Sequence, residues 1–336
     1  MELTIKDIAE KANVSITTVS RVLNKKKDGV GDATRKRVED VIQKYNYRPN
    51  AVARSMITKN TKTIGLIVPD IRNPFFSDLA RGIDDVANDR EYSVVLCNVD
   101  NKPDKIMNYL LLLSEKNVDG IIFSSSDMEL SREVHTLIKK KRLSVVVIDR
   151  NFETEMYSGV FIDNEEAGYK ATKHLIDFSH TRIGCITGPG SISNSSARLK
   201  GYRRAHHEAG LQINKKMIKE GDYTMEGGYE VAKVLLESNK LTAVFAFNDL
   251  MAFGVYQAAE EIGLKIPEDL SVVGFDNITY NRILHPKLTT IGQPIYEIGK
   301  VAISQLLKQI EDRTTRSESI YLDTQLIIRD STRQLS

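Results

Sequence analysis

The chain has no apolar run near the ~18 residues that a membrane span requires. Stretches such as "SVVVI" (144–148) and "LLLL" (110–113) are too short. The opening "MELTIKDIAEK" lacks the basic-then-apolar order of a secretion signal, so no leader is expected. Cysteine is scarce. Cys97 and Cys185 both sit in apolar, strand-like runs, which predicts buried structural thiols in a reducing cytoplasm. No G-x-S-x-G or Walker sequence occurs. "GPGSIS" (188–193) lacks a third glycine, and Pro189 removes an amide donor, so it reads as a strand-ending turn rather than a dinucleotide site. His206 and His207 are adjacent on a helical stretch and point apart, which disfavours chelation. These absences favour a protein that is not an enzyme and that uses neither cofactor nor metal. The competing reading is an α/β enzyme, which an assay for sugar turnover would reveal.

What is present is unevenly distributed. The 336 residues carry a net charge of only +2, yet residues 1–62 hold fourteen Lys or Arg against seven Asp or Glu, and the remainder hold 33 against 38. A basic head on a mildly acidic body fits a nucleic-acid-binding module joined to something else. A solvated basic face is the plainer alternative.

The head reads as three helices. Thr4 caps the first, with Asp7 completing a capping box, and Ile5, Ile8, Ala9 and Ala12 form an apolar stripe. Asn13-Val14 is a turn. Ser15 caps a second helix whose Val19, Val22 and Leu23 face inward. Ile16, Thr17, Thr18, Ser20 and Arg21 are left on or near the outer side. A third helix, capped at Asp32, brings Val38, Val41 and Ile42 to the bundle. Two helices joined by a tight turn make a helix-turn-helix, whose second helix enters the DNA major groove. Threonine can meet base edges or a thymine methyl there, and arginine suits guanine. Lys25, Lys26, Lys27, Arg35 and Lys36 are placed to meet phosphates, which sets affinity rather than sequence preference.

"TIKDIAEKANVSITTVSRVLN", followed by "YNYRPNAVARSM", closely resembles the lactose-repressor (LacI) family of bacterial transcription regulators. The resemblance implies that Ile16, Thr17 and Arg21 read the operator, with Thr4, Ser15, Thr18, Ser20, Asn24 and Lys26 also at the DNA, and that a homodimer binds a near-palindromic site. It further implies a hinge helix in "RPNAVARSM" (48–56), ordered on DNA in the minor groove through Asn50, Ala53, Arg54 and Met56. Met56 stands where the family has a wedging leucine. Methionine is an accepted wedge, and packing against a dimer mate is the alternative. The ending "IIRDSTRQLS" has no leucine heptad, so a dimer is expected rather than a tetramer.

The body alternates strand and helix. "TIGLIVP" (63–69), "SVVLCNV" (93–99), "DGIIFSS" (119–125) and "SVVVID" (144–149) are continuous apolar runs of the kind buried parallel strands need. The alternation restarts at "RIGCITG" (182–188), "AVFAFN" (243–248) and "LSVVGFD" (270–276), which predicts two doubly wound α/β lobes behind an all-α head. Ligands in such sheets bind beyond the carboxyl ends of the strands.

This body is similar to the periplasmic sugar-binding proteins, with ribose-binding protein and the ribose-operon repressors the nearest likeness. The resemblance places Asn73, Phe75, Phe76, Asp149, Arg150, Arg198, Asn248, Asp276 and Gln293 at ribose-contacting positions, with Tyr223 matching an aromatic there. Two arginines and two carboxylates balance in charge, which indicates a neutral ligand rather than a phosphorylated one. Taken singly, Asp149 and Arg150 could simply pair with each other, and Asn73 and Asn248 could cap helices. The family's architecture implies 1–48 as the DNA-binding domain, 49–61 as hinge and linker, and 62–336 as the effector and dimerisation domain. The near lobe would hold about 62–160 and 293–320, and the far lobe about 161–292 and 321–336, with chain crossings at 157–163, 288–294 and near 320–322. The function expected is a cytoplasmic repressor that binds double-stranded operator DNA and responds to a neutral sugar, D-ribose. The alternatives are a regulator of another pentose or hexose, or a catabolite-control-type regulator whose effector is a phosphorylated carrier protein.

Overall fold

The computed structural model describes residues 3–24, 28–47, 60–100, 102–124, 132–150, 157–238 and 240–335. The chain forms two compact units, Met1–Thr61 and Lys62–Ser336.

The first unit contains α1 (Ile5–Lys11), α2 (Ile16–Leu23) and α3 (Asp32–Lys44). Thr4 and Asp7 close the start of α1: the Thr4 amide donates to Asp7 Oδ2 at 2.7 Å, and its hydroxyl donates at 2.8 Å. Asn13 adopts a φ of 50°, which turns the chain sharply into α2. Ser15 Oγ then accepts the Thr18 N–H at 3.1 Å. Gly31, not Asp32, occupies the N-cap of α3. Asp32 lies one residue later, in the first turn, where its charge still favours the helix dipole. Ile8, Ala9, Ala12, Val19, Val22 and Val38 form the small buried core, with Ile5, Leu23, Val41 and Ile42 packed at its edge.

The second unit is built on two six-stranded sheets. The first sheet has β1 (Thr63–Val68), β2 (Ser93–Asn98), β3 (Gly120–Phe123), β4 (Ser144–Ile148) and β5 (Ser158–Ile162), and it gains β11 (Ser319–Leu322) at its edge. Its strand order is β11-β5-β4-β3-β1-β2, parallel throughout. Helices α4 (Pro74–Asp89), α5 (Pro103–Glu115), α6 (Arg132–Lys141) and α11 (Ile295–Glu311) belong to this lobe. The second sheet has β6 (Ile183–Thr187), β7 (Ile218–Glu220), β8 (Ala243–Ala246), β9 (Ser271–Asp276), β10 (Thr289–Gly292) and β12 (Gln325–Ile327), ordered β12-β10-β9-β8-β6-β7. Only β12 runs antiparallel to its neighbour. Its helices are α7 (Asn164–Asp177), α8 (Ser193–Glu208), α9 (Met225–Ser238) and α10 (Asp249–Glu261).

The chain passes between the sheets three times, after β5, after β10 and after β11. In the first sheet, β5 runs to Ile162 and β11 to Leu322, two residues past the lobe boundaries expected from sequence. Parallel pairing of Ile162 with Leu322 holds both ends in that sheet. Leu66, Ile122, Val146 and Ile148 are buried in one sheet, and Ile186, Val244, Phe245 and Val273 in the other, as expected of strands covered on both faces, but β2, expected from its apolar run to be buried, is an edge strand with Val95 and Leu96 exposed. Gly201 lets α7 and α8 approach closely, because a Cβ there would stand 2.1 Å from the Glu165 carbonyl oxygen. That approach fixes the helix carrying Arg198.

Candidate functional site

In the first unit, α2 presents Ile16, Thr17 and Arg21 to solvent, with Thr18 and Ser20 half-buried beside them. Ile16 with Ser20, and Thr17 with Arg21, are i,i+4 neighbours, so these side chains make one outward surface. Ser15 and Thr18 share a hydroxyl contact of 2.9 Å. Asn24 donates through Nδ2 to the Ser20 carbonyl at 2.9 Å and so covers the helix end. The Arg21 guanidinium reaches the Gly29 carbonyl at 3.4 Å, and Gly29, at a φ of 81°, leaves it room. Thr4 is exposed at the start of α1. Lys26, Asn50, Ala53, Arg54 and Met56 lie outside the described residues.

In the second unit, a cavity of about 360 Å³ opens between the two lobes at the carboxyl ends of the strands. It is lined by Asn73, Phe75, Phe76, Asp149, Arg150, Arg198, Tyr223, Asn248 and Asp276, residues spread over 200 positions of sequence. Phe75 and Phe76, in the first turn of α4, pack edge to face with centroids 5.0 Å apart, and both are almost fully buried. Asn73 caps that helix, its side chain accepting the Phe75 N–H at 3.0 Å.

Three of the lining residues have unusual backbone. Asp149, Tyr223 and Asp276 take φ values of 64°, 67° and 111°. Non-glycine residues in that region carry strain that tends to gather at ligand sites. Tyr223 turns its ring over Gly188, where a Cβ would stand 2.1 Å from the tyrosine Cζ. The glycine after β6 therefore makes room for the aromatic wall.

The charged groups interlock. Asp149 Oδ2 lies 3.6 Å from Arg150 Nε, and its Oδ1 accepts from Asn194 Nδ2 at 3.1 Å. Arg198 donates through Nε to Asn164 Oδ1 at 2.8 Å and through one terminal nitrogen to the Phe247 carbonyl. Its guanidinium lies over the Phe275 ring, 3.5 Å from the centroid. Asp276 Oδ1 accepts from Gln293 Nε2 at 2.7 Å. Burial raises the pKa of both Asp149 and Asp276, and Arg198 opposes the shift in each. For Asp276, the nearby carboxylates Asp249 and Asp149 raise it further.

Two expected ligand contacts stand differently in the structure. Gln293, just after β10, is not among the residues lining this cavity and donates instead to Asp276, which is. Asn248 lines the cavity, but its Oδ1 caps α10 through the Met251 N–H at 2.9 Å, and its Nδ2 donates to the Tyr223 carbonyl at 2.9 Å. Sequence reasoning missed Asn194, four residues before Arg198 and hence on the same face of α8. It also missed the mouth residues Asp70, Arg72, Asp222 and Glu226, whose positions in loops and first turns follow no periodic pattern. Arg72 pairs with Asp70 at 2.7 Å. Among the described residues no cluster of side chains is arranged to hold a metal, and no helix is long and apolar enough to cross a membrane.

The arrangement suits a polar, uncharged ligand with several hydroxyls. Buried carboxylates accept from hydroxyl groups, guanidinium groups donate to oxygens, and an aromatic pair covers an apolar ring face.

Comparison with known proteins bears on both units. Residues 4–50 match the model of bacterial regulatory proteins of the lacI family, and residues 61–330 match that of periplasmic binding proteins and the sugar-binding domain of the LacI family. The chain is 41% identical to Catabolite control protein A of Priestia megaterium over 335 residues, 99% of this chain and 100% of that one. It is 38% identical to the transcriptional repressor PurR of Photobacterium profundum over 334 residues, 99% of each. A LacI family regulator from Enterococcus faecium with bound ribose is similar in structure, with a TM-score of 0.75 and 34% identity over 82% of this chain and all of that one.

Proposed function

The chain belongs to the LacI family of bacterial regulatory proteins, and from that premise we propose that it is a cytoplasmic repressor released from a pseudo-palindromic operator by D-ribose bound between its lobes. The observation that carries the effector is the buried, charge-balanced set Asp149, Arg150, Arg198 and Asp276, walled by Phe75 and Phe76. A phosphorylated ligand would call for a surplus of cations. A pentose offers hydroxyls to the carboxylates and oxygens to the arginines. The ribose-bound relative supports that choice.

The exposed face of α2 reads bases, with Thr17 and Arg21 as its polar contacts, and lysines around it meet phosphates. A second copy of the chain completes the palindrome reader. Supporting this, β2 is an edge strand whose Val95 and Leu96 are exposed, an apolar edge of the kind proteins cover. Sugar binding closes the lobes and alters their relation across the dimer, which frees the DNA.

Calorimetry with D-ribose, with and without operator DNA, tests the scheme. By linkage, operator must weaken ribose by the factor through which ribose weakens operator. No heat at millimolar ribose removes the effector assignment, and tighter ribose binding with operator present makes it a corepressor. The 41% identity to Catabolite control protein A favours one second reading, a phosphorylated carrier protein as effector. Heat with that protein and none with ribose would establish it.

A further inference from the structure

Asp249 follows Asn248 at the first position of α10 and is completely buried. It does not line the cavity. Its Oδ2 accepts the Ile278 N–H at 2.9 Å and Asn281 Nδ2 at 2.8 Å, and its Oδ1 accepts the Thr290 hydroxyl at 2.7 Å. Gly274 on β9 makes space for the carboxylate, since a Cβ there would stand 2.3 Å from Asp249 Oδ1. A buried carboxylate is stable only when its lone pairs are matched in this way.

These donors bracket Asp276. Asp276 and Asn277 adopt φ values of 111° and 62°, a corner that persists only where its surroundings over-determine it. From the other side, Gln293 holds Asp276 Oδ1. Thr290 lies on β10, which pairs with β9 and leads through Gln293 to the passage between lobes. Asp249, the corner, Gln293 and β10 thus close a ring of contacts around one ligand-facing carboxylate.

We propose that Asp249 is a positioning residue for the ligand-binding carboxylate of Asp276, pinning the 276–281 corner to β10 and so tying the sugar acceptor to the passage between the lobes. The inference rests on the assignment of Asp276 as a ligand acceptor. It goes beyond it by naming the group that acts through Asp276.

The electrostatics give it a signature. Asp276 is faced by Arg198 from α8, Asp149 from the end of β4, Gln293 after β10 and Asp249 from α10. Asp249 is faced by Thr290, by the 277–281 corner and by Tyr256 on its own helix. Burial pushes Asp249 up to about 6, and its charge helps raise Asp276. A sugar hydroxyl donates to the ionised carboxylate, so ribose affinity declines as pH falls through the raised pKa of Asp276. Removing the charge at 249 moves that decline to lower pH.

The test is calorimetry of the full-length protein with D-ribose across about pH 5 to 8. Asp249→Asn, whose amide sets donors against donors, is expected to bind ribose about tenfold more weakly at neutral pH, with the acid decline displaced to lower pH. Thr290→Val removes one donor and raises the Asp249 pKa further, so it weakens ribose and displaces the acid decline in the same direction as Asp249→Asn but by less. Parent-like affinity together with a parent-like pH profile in Asp249→Asn overturns the proposal. If the parent itself binds no ribose, the sugar assignment fails separately, and thermal unfolding of the ligand-free protein decides the inference. Asp249→Asn and Asp276→Asn should then be non-additive at neutral pH and approach additivity in acid, whereas additivity at every pH rejects the coupling.

Discussion

Asn194 on α8 of one lobe donates to Asp149 at the end of β4 of the other, Nδ2 to Oδ1, at 3.1 Å. The carboxylate can only accept when ionised, so it fixes which way the amide points. One hydrogen bond thereby joins the two lobes through a residue that also lines the ligand cavity.

This bond yields the first prediction. Asn194→Asp places two carboxylates about 3 Å apart, where one must take a proton or the lobes must separate. Ribose affinity is expected to fall at least about tenfold at neutral pH and to recover partly on acidification. Calorimetry at two pH values reads both effects. Equal affinity in parent and variant at neutral pH would remove Asn194 from the site.

The second prediction concerns DNA. Arg21→Ala should cost about 1–3 kcal/mol of operator binding and relax preference at one position of each half-site. Lys26→Ala should weaken all sequences alike and flatten the salt dependence. Gel shifts on a randomised operator library separate the two, and an unchanged sequence preference for the Arg21 variant rejects its base contact.

A third prediction follows from the close approach of α7 and α8. Gly201→Val drives a side chain toward the Glu165 carbonyl, which lies 2.1 Å from the Cβ position, and toward the Tyr169 amide, at 2.5 Å. Backbone on both sides leaves no flexible group to yield, so a loss of about 3 kcal/mol is expected. Gly210→Asn is the control, since nothing lies within 4 Å of its Cβ position and its φ of 66° is one that asparagine tolerates. Denaturant midpoints measure the contrast.

The fourth prediction is a loss of stability in mild acid. His174 pairs with the Thr332 hydroxyl at 3.0 Å, and His180 bridges Thr242 at 3.0 Å and the Arg333 carbonyl at 3.1 Å. Burial lowers the pKa of both from 6.5. A lowered histidine pKa means that the folded state binds fewer protons than the unfolded chain. Their contribution is therefore complete above the unfolded value and is lost as pH falls below it. The parent should lose more thermal stability between about pH 7.5 and 5.5 than His180→Gln does. Identical slopes would show that His180 does not titrate on unfolding. The carboxyls Asp149, Asp249 and Asp276, with raised pKa values, act in the opposite direction. The comparison with the variant isolates the histidine.

The sequence alone determined the local layers of this protein. The capped second helix is readable because Ser15 precedes an inward stripe of Val19 and Val22, and periodicity and capping both act within a few residues. The strands from Thr63 to Val68 and from Ser271 to Asp276 are legible as apolar runs, since burial on both faces leaves little choice of residue. The polar residues that end those runs mark the cleft for the same reason.

Tertiary structure decided what each polar group does there. Asn73, Asn248 and Asn194 look alike in sequence. Asn73 caps a helix, Asn248 caps one while holding Tyr223, and Asn194 crosses to the other lobe. Gln293 meets Asp276, and Asp249 meets Thr290, because pairing of β9 with β10 brings these distant stretches together. The short strands Ile218–Glu220 and Gln325–Ile327 join the second sheet only through partners far away in the chain. Pairing, burial and close approach are made between residues tens to hundreds of positions apart, and such choices belong to the folded molecule rather than to any local stretch of it.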